Sequence, residues 1–200
     1  RVLEALPEGD REALGHGVLA SSWYGMDAFL RFMQEVQRQL GAQEPDVVRK
    51  MGRASCDYGV TGVYKIFFRV GSPEFIISRA ARVFSSYYDT GELKVVEGGA
   101  GRAVVELSAL EGGAPQFCER IFGWMQRTLE LAGAKGLRSA HSACVHRGDP
   151  VCRFEGTWAA SGTAGVSGFP SPPLGLLEIA GTDVRWLLGV EWAGGAVRFR

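Results

Sequence analysis

The chain has 200 residues, with 22 basic and 22 acidic side chains and 46% apolar residues. A formal net charge of zero argues against bulk electrostatic attraction to nucleic acid or to an anionic membrane. No run of residues approaches the roughly 18 to 20 apolar residues of a membrane span, and four cysteines are too few for a disulfide scaffold.

The first part of the sequence has the apolar spacing of helices. Met26 to Leu40 carries an apolar stripe with a 3.6-residue period that ends at Gly41, which predicts a helix. A second helical stretch opens at Glu44-Pro45-Asp46, since proline and acidic residues suit a first turn. A third helix is predicted from Pro73 to about Tyr88. The sequence starts at Arg1, so we expect that the beginning of a longer chain has been removed.

After residue 90 the pattern changes to strands and one further helix. Leu93 to Val96 and Ala103 to Leu107 flank Gly98-Gly99-Ala100-Gly101, which is typical of a β-hairpin. Pro115 to Leu131 returns to helical spacing, and two more strands are predicted within Leu137 to Trp158. This order of elements predicts an α+β fold, in which an antiparallel sheet made of two hairpins packs on the helices.

The last part of the sequence differs in composition. Residues 159–173 contain no charge and are rich in Gly, Ser, Ala and Pro, which is typical of a linker. Residues 174–200 are too few for a domain and too apolar for a disordered tail, so we expect docked strands or a dimer contact. Residues 1–158 are then predicted to form one domain.

Three of the four cysteines lie close together in the sequence. With one histidine they form the pattern Cys-x22-His-x2-Cys-x7-Cys, which consists of Cys118, His141, Cys144 and Cys152. Three thiolates and one imidazole suit the tetrahedral coordination of Zn²⁺, and a closed set of four ligands makes such a site structural. His141 and Cys144 have opposite parity in a regular strand, so both can bind only if the strand is irregular there.

Other interpretations of these side chains stay open. The cysteines could be small buried hydrophobic residues, or Cys144 and Cys152 could form a disulfide across the hairpin, which a reducing cytosol disfavours. His146 competes with His141 for the fourth position. Cys56 has no histidine near it in the sequence, so a buried side chain is favoured over a catalytic thiol.

The block from Phe117 to Trp158 resembles the 4-vinyl-reductase-like small-molecule-binding domain. The resemblance is carried by Cys144-x3-Gly148-Asp149-Pro150-x-Cys152-x-Phe154. That domain occurs in the sensor half of phenol- and xylene-responsive bacterial transcriptional activators and in a bacteriochlorophyll-synthesis protein. In the aromatic sensors zinc is held by a helix cysteine, an acidic residue and two cysteines at the same intervals, so His141 stands here where those sensors have Glu.

A second resemblance concerns the first hundred residues. Ser22-Trp23-Tyr24 and Met51-Gly52-Arg53 are similar to segments of an uncharacterised protein family that is abundant in myxobacteria.

The 4-vinyl-reductase-like resemblance implies a cytoplasmic sensory module rather than an enzyme. Such a module binds a small hydrophobic molecule between the helices and the sheet and signals through rearrangement of a homodimer or of a partner protein. From the faces on which the predicted elements converge, we expect the pocket to be lined by Phe67, Phe68, Phe84, Val95 and Phe122.

Three alternative functions stay open. The chain could be an enzyme or an accessory protein of a tetrapyrrole or reductase-type pathway, although no catalytic base or open metal position stands out. It could be a scaffold without a ligand, whose aromatic side chains fill the core. Related folds also include haem-based gas sensors, in which case His16 would be the axial ligand, but the Tyr-x-Ser-x-Arg signature of those sensors is missing.

Overall fold

The computed structural model describes residues 1–15, 22–60, 72–159 and 198–199. In these residues a short 3-10 helix (Leu3–Ala5) precedes the α-helices α1 (Glu8–Gly15), α2 (Met26–Leu40), α3 (Val47–Val60), α4 (Pro73–Ile77), α5 (Ala80–Tyr87) and α6 (Pro115–Leu131). The strands are β1 (Tyr24–Gly25), β2 (Glu92–Gly99), β3 (Arg102–Ser108), β4 (Lys135–Ala143), β5 (Cys152–Ala159) and β6 (Arg198–Phe199). No helix in the described ranges is long and apolar enough to cross a bilayer.

Four strands form an antiparallel sheet in the order β2-β3-β5-β4. Its inner face packs on α6, whose buried side chains include Phe117, Ile121 and Leu129. The predicted α+β fold class, with helices packed on two hairpins, is therefore confirmed. Outside this sheet, β1 pairs with β6, so two residues of the predicted C-terminal extension pair with the strand that precedes α2. The domain and linker boundaries otherwise stay predictions, because residues 160–197 lie outside the described residues.

The predicted third helix is divided into α4 and α5. At the break, the Ser78 hydroxyl donates a 2.8 Å hydrogen bond to the carbonyl of Phe75, and the Arg79 guanidinium lies 3.6 Å from the centre of the Phe75 ring. The backbone leaves the α-helical conformation at Arg79, which has φ −113° and ψ 0°. The apolar spacing runs through the break, which is why the sequence pattern predicts one helix.

Small residues form the face of α3 that packs on the rest of the fold. Val48 and Cys56 are fully covered and Gly52 is buried between them, whereas Tyr58 is 83% exposed. The apolar spacing of the sequence predicts a buried stripe through Val47, Met51, Ser55 and Tyr58. This is wrong for Tyr58, because the fully buried positions lie one residue further along at Val48, Gly52 and Cys56. A stripe of large apolar residues cannot distinguish a helix that packs on side chains from one that packs directly on a neighbouring backbone.

The backbones of α3 and α6 touch where the two helices cross. A Cβ atom added to Gly52 would overlap the carbonyl oxygen of Arg120, and one added to Gly123 would overlap that of Arg49. Only glycine permits such an approach from both sides. Ion pairs flank the crossing, because Arg49 of α3 binds Glu119 of α6 and further along Arg53 binds Glu130.

Substitution of either crossing glycine by alanine should destabilise the protein. We expect Gly52→Ala or Gly123→Ala to lower the free energy of unfolding by about 1–3 kcal/mol, because the added methyl group must push two helix backbones apart. The measurement is urea unfolding followed by circular dichroism.

Gly9→Ala in α1 is the matched control. A Cβ at Gly9 meets no atom within 4 Å, so alanine should stabilise that helix by up to about 1 kcal/mol. Equal stability of the wild type and both crossing variants would contradict the contact.

Candidate metal centre

Four polar side chains from α6 and the β4–β5 hairpin converge in the interior. Cys118 lies near the start of α6, which begins with Pro115 after an extended Ala114. His141 belongs to β4, Cys144 directly follows that strand, and Cys152 is the first residue of β5. The helix therefore supplies one candidate metal ligand and the hairpin supplies three, and the four side chains together form the ligand cluster.

The distances between these side chains match a tetrahedral site. The Sγ atoms of Cys118 and Cys152 lie 3.5 Å apart, those of Cys118 and Cys144 3.9 Å, and those of Cys144 and Cys152 3.8 Å. One nitrogen of His141 joins them so that all four ligand atoms lie within 4.8 Å of one another. Zinc–sulfur bonds of about 2.3 Å in a tetrahedron place the sulfur atoms about 3.8 Å apart. All the cysteines are free thiols, so the alternative of a Cys144–Cys152 disulfide does not describe this structure.

The cluster is buried, and the ring nitrogens of its histidine make no hydrogen bond in the described structure. The three cysteines are at most 3% exposed. Both ring nitrogens of His141 are buried, and neither has a hydrogen-bond partner. Leaving a buried polar group without a partner is costly, and a metal ion coordinated by one nitrogen would remove part of that cost.

An irregularity in β4 allows His141 and Cys144 to reach the same point. The register between β4 and β5 pairs His141 with Phe154 and then Ala143 with Arg153, so Ser142 is an extra residue in β4. The strand ends at Ala143, and the chain turns inwards at Cys144. The deviation from regular alternation that the spacing requires is therefore present.

Hydrogen bonds hold the loop between Cys144 and Cys152 in place. The Asp149 carboxylate accepts a 2.7 Å hydrogen bond from the backbone N–H of Cys144, while the carbonyl of Cys144 accepts from the N–H groups of Arg147 and Asp149. Gly148 takes φ +92°, a left-handed conformation that favours glycine. The Gly-Asp pair in the motif thus shapes the loop that presents the thiols.

The thiols differ in how easily they ionise. A hydrogen bond from Cys118, together with His141, lowers the pKa of Cys152 to about 4, although burial acts in the opposite direction. The contact with Cys152, and then burial, raises the pKa of Cys118, and burial raises that of Cys144. Because metals bind thiolates, a metal ion must displace the protons of the last two thiols.

Aromatic rings and charges surround His141 on its other sides. Its ring stacks on Phe154 with a centroid distance of 4.6 Å, and Phe122 lies 6.1 Å away. Its Nδ1 atom lies 3.7 Å from a carboxylate oxygen of Glu119, and Glu119 also accepts a 2.9 Å hydrogen bond from Nε of Arg49. Contact with His141, and with Arg49, keeps the pKa of Glu119 below its ordinary value.

The remaining candidate side chains lie elsewhere. Cys56 is buried in the α3–α6 interface, with its Sγ 3.3 Å from the hydroxyl oxygen of Thr128. Burial raises the pKa of the Cys56 thiol, which therefore stays protonated and lacks the character of a nucleophile. His146 is exposed in the short 3-10 helix Val145–Arg147 and is not part of the ligand cluster. His16 lies outside the described residues.

A small apolar cavity of about 60 Å³ adjoins the ligand cluster. It lies between α4, α5, α6 and the sheet, and its walls include Ile77, Ala80, Val83, Val105, Phe122 and Phe154. Phe122 and Phe154 are also the two rings beside His141, so the cavity and the cluster share a wall.

Only one of the five expected pocket residues lines this cavity in the part of the chain that the structure describes. That residue is Phe122. Phe84 is buried in the core, where its ring lies 4.7 Å from that of Tyr88, and Val95 is partly buried against the core. Phe67 and Phe68 lie outside the described residues.

The sequence of this chain matches a model of a known protein family. A family model described as "Protein of unknown function (DUF2378)" matches residues 11–158, well over half of the sequence. The chain belongs to the DUF2378 family. The matched segment contains all four side chains of the cluster. No curated protein matches the chain in sequence.

Among solved structures, the DUF2378 chain is similar to H-NOX proteins. One of them is an H-NOX protein from S. oneidensis in the Fe(II) ligation state, which carries three substitutions. It aligns with a TM-score of 0.56 and 13% sequence identity, and the alignment covers 75% of this chain and 83% of that protein's chain. The Fe(II) unliganded H-NOX protein from K. algicida aligns with a TM-score of 0.54 and 10% identity, over 78% of this chain and 83% of that one. At such low identity the similarity concerns the fold.

Several residues that surround His141 in this chain cannot be identified from their spacing in the sequence. Glu119 and Arg49 come from different helices, and nothing in their local pattern points to His141. Phe154 belongs to the motif that carries the family resemblance, but its contact with the imidazole depends on the register of β4 and β5. The one available signal is position, since Glu119 directly follows the helix cysteine.

Removal of the Asp149 carboxylate should loosen the loop of the DUF2378 site. We expect Asp149→Ala to lower the free energy of unfolding by about 1–3 kcal/mol, because the buried Cys144 N–H loses a charged acceptor. Urea unfolding measures this loss. Asp149→Asn keeps an acceptor oxygen and should retain most of the stability, so equal losses in both variants would argue against the hydrogen bond as the cause.

Proposed function

We propose that this chain is a zinc-stabilised sensory module that binds a small hydrophobic molecule. The observation that carries the proposal is the buried set of three thiols and one imidazole at tetrahedral spacing, which shares a wall with an apolar cavity. The fold is that of the H-NOX proteins, which supports a ligand-binding role without identifying the ligand.

Zinc would serve as a structural link in this module. Cys118, His141, Cys144 and Cys152 would hold it, with four protein ligands and no open position for water. The ion would fasten the start of α6 to the loop that joins β4 and β5. Its binding free energy would add to the stability of the domain, with zinc-finger peptides at roughly 10 to 16 kcal/mol as an upper guide.

The first test is the metal content of the purified protein. We expect about one zinc per chain in protein prepared without chelator, measured by inductively coupled plasma mass spectrometry. Cys118→Ser should lose most of the zinc because a tetrahedral site with three ligands is weak, and its melting temperature should fall.

Cys56→Ser is the matched control, because Cys56 is an equally buried thiol that lies outside the cluster. It should keep the zinc of the wild type. Less than about half a zinc per wild-type chain, or equal loss in both variants, would refute the assignment. A visible absorption band of haem in the purified protein would instead favour the haem alternative.

The cavity limits the size of the ligand. Sites for drug-sized molecules have volumes of about 300–1,000 Å³, far more than the 60 Å³ found here. The ligand would therefore be a molecule of few heavy atoms, or α4 and α5 would move to admit a larger one. The walls are apolar and carry few hydrogen-bonding groups, which favours an uncharged ligand.

Signalling would require that the ligand prefer one of two arrangements of the module. The short helices α4 and α5 form one side of the cavity and are the elements whose position a ligand would affect first. A homodimer contact through the N-terminal helices or the apolar C-terminal segment, or a separate partner protein, would receive the change. A more specific relationship to 4-vinyl-reductase-like domains or to a myxobacterial paralogous family remains part of this proposal.

Changing the cavity should change which molecules bind. We expect Phe122→Ala to admit benzene, because removal of the ring enlarges the cavity towards the roughly 150 Å³ at which benzene binds in an apolar cavity. We expect the wild type to bind xenon in the cavity, and Ala80→Leu should fill the cavity and abolish this binding. Ligand-dependent chemical shifts in two-dimensional NMR spectra measure both effects.

Zinc content of each cavity variant provides the control for folding, since Phe122 also lies near His141. Absence of benzene binding in a zinc-loaded Phe122→Ala protein would count against the cavity as the ligand site. Unchanged xenon binding by Ala80→Leu would do the same.

A further inference from the structure

We propose that Glu119 is a positioning residue for the metal centre, and that Arg49 holds Glu119 in that role. The inference rests on the proposed zinc site, since it concerns the orientation of one of its ligands. It assigns a function to a helix–helix ion pair that would otherwise count only as a stabilising contact between α3 and α6.

The geometry around the imidazole supports this role for Glu119. Nδ1 of His141 lies 3.7 Å from a Glu119 carboxylate oxygen, and that nitrogen makes no hydrogen bond in the described structure. A neutral imidazole carries one proton, and a carboxylate on the Nδ1 side favours that nitrogen as its location. The lone pair is then on Nε2, which would be the nitrogen that coordinates the proposed metal ion. Metal-bound histidines commonly donate their second N–H to a carboxylate in this way.

The separation of 3.7 Å is longer than a hydrogen bond. The Glu119 side chain can move towards His141, because it is 36% exposed. The His141 side chain is only 6% exposed, and its ring stacks on Phe154. Rotation of the carboxylate towards a fixed imidazole is therefore the smaller movement.

Arg49 restrains the carboxylate on its opposite side. It donates from both Nε and Nη2 to Oε2 of Glu119, while Oε1 is the oxygen that faces His141. One carboxylate thus joins α3 to a proposed metal ligand through its two different oxygens. The Arg49 guanidinium also lies 4.9 Å from the centre of the Phe122 ring, at the wall of the cavity.

A second ion pair in the same interface supplies the matched control. Glu130, three turns further along α6, binds Arg53 of α3 and is 32% exposed, close to the 36% of Glu119. It is not part of the ligand cluster, and its second ion-pair partner, Arg127, also belongs to α6. Glu119 and Glu130 are thus similar as links between the two helices and differ in their distance from His141.

The test compares Glu119→Gln with Glu130→Gln in the full chain. We expect Glu119→Gln to lower the affinity for Zn²⁺ by 10- to 100-fold in competition with a chromogenic chelator, because the imidazole loses its carboxylate partner. The visible ligand-field bands of the Co²⁺-substituted protein should also shift. Glu130→Gln should match the wild type in both measurements while losing a similar amount of stability in the metal-free form.

Each other outcome is decisive. Wild-type affinity and an unchanged Co²⁺ spectrum in Glu119→Gln would overturn the inference, and so would an equal loss of affinity in Glu130→Gln. A wild-type chain that binds neither Zn²⁺ nor Co²⁺ would instead overturn the proposed zinc site.

If Glu119→Gln fails to fold, Arg49→Gln takes its place. In this variant the Glu119 carboxylate remains but is no longer held by Arg49, so the affinity for Zn²⁺ should fall by less than 10-fold. An affinity equal to that of the wild type would refute the proposed role of Arg49.

Discussion

The close contact between α3 and α6 is the constraint on which the rest of the structure depends. Gly52 and Gly123 let the two backbones touch, so α6 is clamped between α3 on one side and the sheet on the other. The same helix carries Cys118 at the ligand cluster and Phe122 at the cavity wall. A shift of α6 by even a fraction of an ångström would therefore alter both features at once, because closely packed interiors transmit displacement rather than absorb it.

The regular parts of this fold could be predicted from the sequence, because periodicity reports directly on which face of an element is buried. α2 and α6 begin and end at the predicted residues, and both hairpins are where turn residues and β-rich runs predict them. The apolar spacing gives a wrong prediction where small residues rather than large apolar ones form the buried face, and where a helix is interrupted without a change in the spacing. Tyr58 is exposed because α3 packs through its smallest residues, and the predicted third helix is interrupted where the backbone at Arg79 leaves the helical conformation. Neither effect changes the apolar spacing.

The candidate site likewise has a part that the sequence predicts and a part that it does not. The residue types and intervals predict the four side chains of the cluster, since soft thiolates and an imidazole together are an unusual combination in so short a span. Its surroundings depend on contacts between distant segments: Arg49 and Glu119 are far apart in sequence and meet only because α3 crosses α6. The cavity is similar, as its position between helices and sheet could be predicted, but its volume and most of its walls are a result of packing.

The extra residue at Ser142 has a consequence for how the sheet assembles. β4 is an edge strand whose described partner is β5 alone, so the register of β4 depends on its pairing with that one strand. Sliding β4 by one position would turn His141 away from the thiols and place its neighbours inside. A metal ion that binds both His141 and Cys144 could do so in only one register of β4 and β5. Coordination during folding would therefore stabilise the native register relative to registers shifted by one residue.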